Sequence, residues 1–142
     1  MPVRPVLHAL AAVAVAVGLA MVPVAAHAEA PEITQAYRQK CTDIGNGTLC
    51  IDITGSEKQN GVIGVGYWKH SGAQVRVQLG WQNTEGGLAN MHPEIHTLGA
   101  GGSTGTQTTP TYLAPGCVYP ILKVLSSPQT TILGQKACVP VE

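Results

Sequence analysis

Beyond residue 40 the apolar positions fall on every second residue. Leu49, Ile51 and Ile53 alternate with Cys50, Asp52 and Thr54. Ile63, Val65 and Tyr67 alternate with Gly64, Gly66 and Trp68, and Val75, Val77, Leu79 and Trp81 with Arg76, Gln78 and Gly80. A period of two belongs to a strand with one buried face. No apolar pattern of helical period lasts three turns, and Gly, Thr, Ser and Pro punctuate the chain throughout. The pattern predicts an all-β domain of short antiparallel strands, a small sandwich or barrel.

Register follows from the same alternation. A three-residue loop, His70–Gly72, puts Tyr67 opposite Val75, Val65 opposite Val77 and Ile63 opposite Leu79, all six on one face. A two-residue loop would mix the faces, so the three-residue hairpin is expected, with Gly72 as its left-handed residue. Trp81 then continues the apolar face. Trp68 lies diagonal to Arg76 on the opposite face, among Gln74, Gln78 and the glycines 64, 66 and 80. Trp and Arg are enriched at binding hot spots, which makes Trp68 and Arg76 candidate partner contacts if that face is wet. If a second sheet covers it, the glycines instead let backbones approach.

The cysteines obey the same arithmetic. Cys41 and Cys50 are opposed in a hairpin turning at Gly45-Asn46, with Gly first as a type II′ turn requires. Cys117 and Cys138 are opposed in a hairpin with the loop Ser126–Gln129. Directly opposed strand residues have the separation a disulfide needs, which favours Cys41–Cys50 and Cys117–Cys138. Cysteine count alone leaves the two other connectivities open.

Ahead of this domain, Met1–Ala28 has the form of a secretory signal peptide: Arg4, an apolar run Leu7–Val22, and the cleavage pattern Ala26-His27-Ala28. The expected protein is secreted and extracellular, where cysteines pair. Cleavage leaves 114 residues with seven Lys/Arg and eight Asp/Glu, a formal net charge of −1. This is one domain, with no basic cluster to hold nucleic acid and no second apolar run of membrane length. Phe is absent. The core therefore rests on Val, Ile and Leu, and two disulfides would add on the order of 3 kcal/mol each. Residues Glu29–Lys40 form an expected flexible arm ahead of the domain, 41–142, with Pro31 near its start and Ile33 and Tyr37 as its apolar anchors. Such an arm adds a strand to a partner's sheet or covers the domain's own edge.

His92, Glu94 and His96 stand two apart, so on a strand they share a face and could seat zinc or copper. The plainer alternative is a solvated polar edge, and Pro93 itself marks an edge strand or turn. No cofactor is implied. Gly-x-Ser-x-Gly is absent, pairing removes any Cys nucleophile, and the acids give no flanking pair beside an aromatic platform, so an enzyme is not expected.

Five phrases run together along the chain: Cys41 with Gly47-Thr48-Leu49-Cys50-Ile51, then Tyr67-Trp68-Lys69-His70-Ser71-Gly72, Val75-Arg76-Val77-Gln78-Leu79-Gly80-Trp81, Leu113-Ala114-Pro115-Gly116-Cys117, and Cys138-Val139. In these the chain resembles small exported two-disulfide β proteins of actinomycetes, among them the adaptor subunits of umbrella toxin particles. The resemblance implies a subunit joining a lectin-like protein to a stalk-forming toxin protein, and it transfers no functional residue. The expected function is a non-enzymatic module that binds another secreted protein, with an adaptor of a toxin-like assembly as its sharpest form. The alternatives are a secreted protease inhibitor presenting the loop Gly86–Met91, and a metal-binding or antimicrobial protein acting through His92 and His96.

Overall fold

The computed structural model describes residues 36–83 and 89–141. The expected signal segment Met1–Ala28, the residues 29–35 of the expected arm, Ile33 among them, and residues 84–88 lie outside the described residues. Nine strands are present among those described: β1 (Tyr37–Asp43), β2 (Gly47–Thr54), β3 (Asn60–Lys69), β4 (Val75–Asn83), β5 (Ala89–Leu98), β6 (Ser103–Tyr112), β7 (Cys117–Val124), β8 (Thr130–Leu133) and β9 (Ala137–Cys138). They form two antiparallel sheets. Sheet I has the order β1-β2-β3-β6, and sheet II the order β5-β4-β7-β8, with β9 also paired to β7. The domain is an all-β sandwich stapled by two disulfides. It is not a closed barrel, because β5 and β6 meet through side chains and not through a ladder.

The alternating apolar sets fill the space between the sheets. Leu49, Ile51 and Ile53, then Ile63, Val65 and Tyr67, then Val77, Leu79 and Trp81 are all buried and belong to one cluster. Leu98, Leu113, Val118, Leu122, Ala137 and Val139 complete it. The faces are as expected, but one pairing is not. β3 and β4 are not a hairpin: β3 is flanked by β2 and β6, and β4 by β5 and β7. The six apolar residues meet face to face across the core instead of side by side. Both arrangements bury the same set, so alternation could not distinguish them.

The β3–β4 connection is an arch between the sheets, His70–Gln74, with Gly72 at φ +84°. It is tied to the first turn, where the Asn46 carbonyl accepts from the His70 and Ser71 N–H groups. Lys69, fully buried at the end of β3, donates through Nζ to the Ser71 carbonyl and so fills the arch from within. Tyr67 lies across Gly47 and donates to Asn46 Oδ1 at 3.1 Å. A side chain at residue 47 would strike the Tyr67 ring and the Trp68 carbonyl.

Both disulfides form in the expected pairs, with Cα separations of 4.0 Å for Cys41–Cys50 and 3.8 Å for Cys117–Cys138. The first hairpin turns at Gly45-Asn46 with Gly45 at φ +85°. The last one differs by one residue. Val124 faces Thr130, so the β7–β8 loop is Leu125–Gln129, whereas Cys117 faces Cys138 one residue out of that register. The shift falls opposite Pro120, which has no N–H for the ladder. Gln135 turns its N–H away to Thr42 Oγ1, at 2.6 Å, on sheet I. The arm is also shorter than expected, because Tyr37–Lys40 are strand β1, paired with Ile51–Thr54.

Candidate functional site

The outer face of sheet I is built from side chains that alternate away from the core. Its rows across the sheet are Asp43–Thr48–Trp68, then Cys41–Cys50–Gly66–Thr106, then Gln39–Asp52–Gly64–Thr108, and finally Tyr37–Thr54–Val62–Pro110. Trp68 is 36% exposed against 5% for Trp81, so the two tryptophans part as alternation predicts. The Trp68 ring folds back over Gly66, where a Cβ would stand 2.8 Å from its Cη2. The Asp52 carboxylate lies over Gly64 in the same way. The two glycines thus form a floor that lets an indole and a carboxylate lie down on the sheet. Tyr37, 60% exposed, marks the far end of this face, about 20 Å from Trp68 at the strand rise of 3.3–3.4 Å.

Arg76 is not part of this face. With β3 and β4 in different sheets, Arg76, Gln78 and Gly80 project from the outside of sheet II, and the expected Trp68–Arg76 diagonal does not exist. What occupies the outside of sheet II is an apolar row, Met91–Gly80–Ile121–Leu133. Met91 Sδ lies over Gly80, Ile121 is buried although it faces away from the core, and Leu133 is 47% exposed. Ile95, 48% exposed, stands beside the row on β5. Sequence reasoning missed these residues. The available signal was Ile121-Leu122, two adjacent apolar residues on one strand, which must serve opposite faces.

His92, Glu94 and His96 do converge, at the seam where edge strands β5 and β6 close the side of the sandwich. Gln107 Nε2 lies 2.8 Å from Glu94 Oε2 and 2.6 Å from His96 Nε2. His92 Nε2 lies 3.5 Å from Thr109 Oγ1, and His96 Nε2 lies 3.6 Å from Glu94 Oε2. The ring nitrogens face β6 and its amide and hydroxyl, and no group of three His, Cys, Asp or Glu able to hold a metal occurs among the described residues. The seam is polar and is bordered by a cleft of about 260 Å³. Of the inhibitor loop Gly86–Met91, residues 86–88 lie outside the described residues, and Met91 is held in β5.

Burial at the seam lowers the His92 pKa from its ordinary 6.5, opposed in part by the charge of Glu94. Above that value the ring is neutral folded or unfolded. As pH falls through 6.5 the unfolded chain takes up the proton first, so stability declines on acidification. Urea unfolding measured across this range should show that decline, and H92N should flatten it; an unchanged slope in H92N would assign the decline elsewhere.

Comparison with protein-family models, curated proteins and solved structures finds no match for this chain.

Proposed function

We propose that this protein is a secreted, non-enzymatic binding module that bridges two other secreted proteins, in its sharpest form an adaptor subunit of an exported toxin-like assembly. The observation that carries the reading is the placement of large exposed apolar side chains on both outer faces of one sandwich, Trp68 on sheet I and Ile95 with Leu133 on sheet II. Soluble monomers rarely expose grouped apolar side chains without a use. Trp68 on one outer face, and Ile95 and Leu133 at the two sides of the other, lie back to back on sheets that pack about 10 Å apart, which suits a molecule held between two partners. The exported setting is supported by the two disulfides, which persist in oxidising compartments.

The test is affinity purification of the protein from its own culture medium, followed by mass spectrometry. Wild type is expected to bring down two partners. W68A should leave the fold intact and weaken one of them by about 2 kcal/mol or more, and I95S/L133S should release the other. Retention of every partner by both variants, or stoichiometric inhibition of an enzyme in a broad protease panel, would overturn the adaptor reading.

A further inference from the structure

Asp52 is the one charged residue in the middle of sheet I's outer face, and it is half-buried over Gly64. No described residue donates a hydrogen bond to it or forms an ion pair with it. Burial raises its pKa above the ordinary 3.8, as expected for a carboxylate removed from water without compensation. Among the described residues no Lys or Arg alternates onto this face. Arg38 and Lys40 of β1 pair with Ile53 and Ile51 and so alternate to the core side, while Lys69 is enclosed in the arch. The other acid of the face, Asp43, is engaged by the Gly45 N–H of its own turn at 2.8 Å. Among the described residues the face thus carries two acids and, at its Trp68 end, His70, whose Nε2 lies 3.3 Å from Thr48 Oγ1, and the central carboxylate has no partner among them.

Two residues along β3 from Gly64, about 7 Å at the strand rise, the Trp68 ring lies over Gly66. A carboxylate beside a partly exposed indole on a flat floor matches one side chain better than any other. A guanidinium is planar, stacks on an aromatic face and forks two N–H donors onto a carboxylate, whereas an ammonium is a point charge that does one or the other. We propose that Trp68 and Asp52 form a receptor for an arginine side chain of the protein partner that binds sheet I. The inference rests on the reading of that face as a protein-binding surface, and it names the chemistry the partner must present.

The test uses the nitrogen-15-labelled secreted protein and three blocked tripeptides, acetyl-Gly-X-Gly-amide with X arginine, lysine or citrulline. Arginine should produce saturable shifts of the Gly64 and Gly66 amides and the Trp68 indole N–H in the millimolar range. Lysine should bind several-fold more weakly, and citrulline, neutral but of the same shape, should give no saturation. In the same titration the Asp52 carboxyl pKa should fall toward its ordinary range as arginine occupies the site. D52N should weaken arginine binding by about tenfold, the size of one charge-assisted contact. It should not lower the melting temperature at neutral pH, because a folded pKa raised above 3.8 means the ionised carboxylate destabilises the fold there.

Equal shifts from arginine and citrulline, or none from arginine, would overturn the receptor. So would methyl glucopyranoside saturating the same resonances while arginine does not, which would mark a saccharide site. These outcomes separate from failure of the bridging role. If arginine binds but W68A and I95S/L133S both keep every partner, Trp68 and Asp52 stand as an arginine-binding site and the bridging role falls. If W68A loses a partner but arginine does not bind, the surface stands and the receptor falls.

Discussion

Replacing Trp81 with alanine should lower the unfolding free energy by about 3–5 kcal/mol, the range for truncating a large buried aromatic. Trp81 is 5% exposed and closes one end of the apolar row Val77-Leu79-Trp81 against sheet I. Its indole Nε1 is buried and has no hydrogen-bond partner among the described residues. An unpaired buried donor already carries a desolvation penalty of about 1–3 kcal/mol, which a phenyl ring would remove. W81F should therefore lose far less than W81A, under about 2 kcal/mol, because the cavity it leaves is offset by the lost penalty. Urea unfolding of both variants measures the difference. A W81F loss equal to that of W81A would mean that the indole N–H is satisfied in solution.

Removing the second disulfide should have the next largest effect. C117A/C138A should destabilise the domain by about 3 kcal/mol, and C41A/C50A by somewhat less, since the loops closed are 21 and 9 residues and the entropic term grows with loop length. The local consequence is more telling. β9 is two residues long, yet Ala137 and Val139 beside the bridge are core residues, and the Val139 N–H bonds to the Gly116 carbonyl at 2.9 Å. Without the bridge, hydrogen exchange at Val139 should quicken far more than at Ile51 on β2. Uniform loss of protection at both would mean that the bridge acts only through the unfolded chain.

Much of the fold was legible because it is written in local rules. Alternation identified which residues of β2, β3 and β4 face the core, and it separated Trp68 from Trp81. Turn chemistry at Gly45-Asn46 set the first hairpin, and both disulfides followed from opposed positions. The candidate site was less legible. Trp68 was visible as an outward aromatic on a strand with glycines, but its neighbour on the face is Asp52, reached through β2–β3 pairing, and not Arg76. Of the arm's two anchors, Tyr37 proved to be strand, while Ile33 lies outside the described residues. The His92-Glu94-His96 series was correctly placed on one strand face, but the facing Gln107 and Thr109 come from β6 and carried no sequence signal of their own.

By itself, the sequence determined the all-β class, the inward and outward sense of most strand residues and the first turn, and it favoured the disulfide pairs that form. These depend on residues close together along the chain, or on a parity that holds whichever strand lies alongside. Only the tertiary structure decided which strands are neighbours. A buried face is satisfied equally by an adjacent strand in its own sheet or by an opposing sheet about 10 Å away, and parity does not tell them apart. That choice, made at the His70–Gln74 arch, sent Trp68 and Arg76 to opposite sides of the sandwich. Pairing of β2 with β3 placed Asp52 beside Trp68, and pairing within sheet II assembled the Met91–Leu133 row from the four strands β5, β4, β7 and β8.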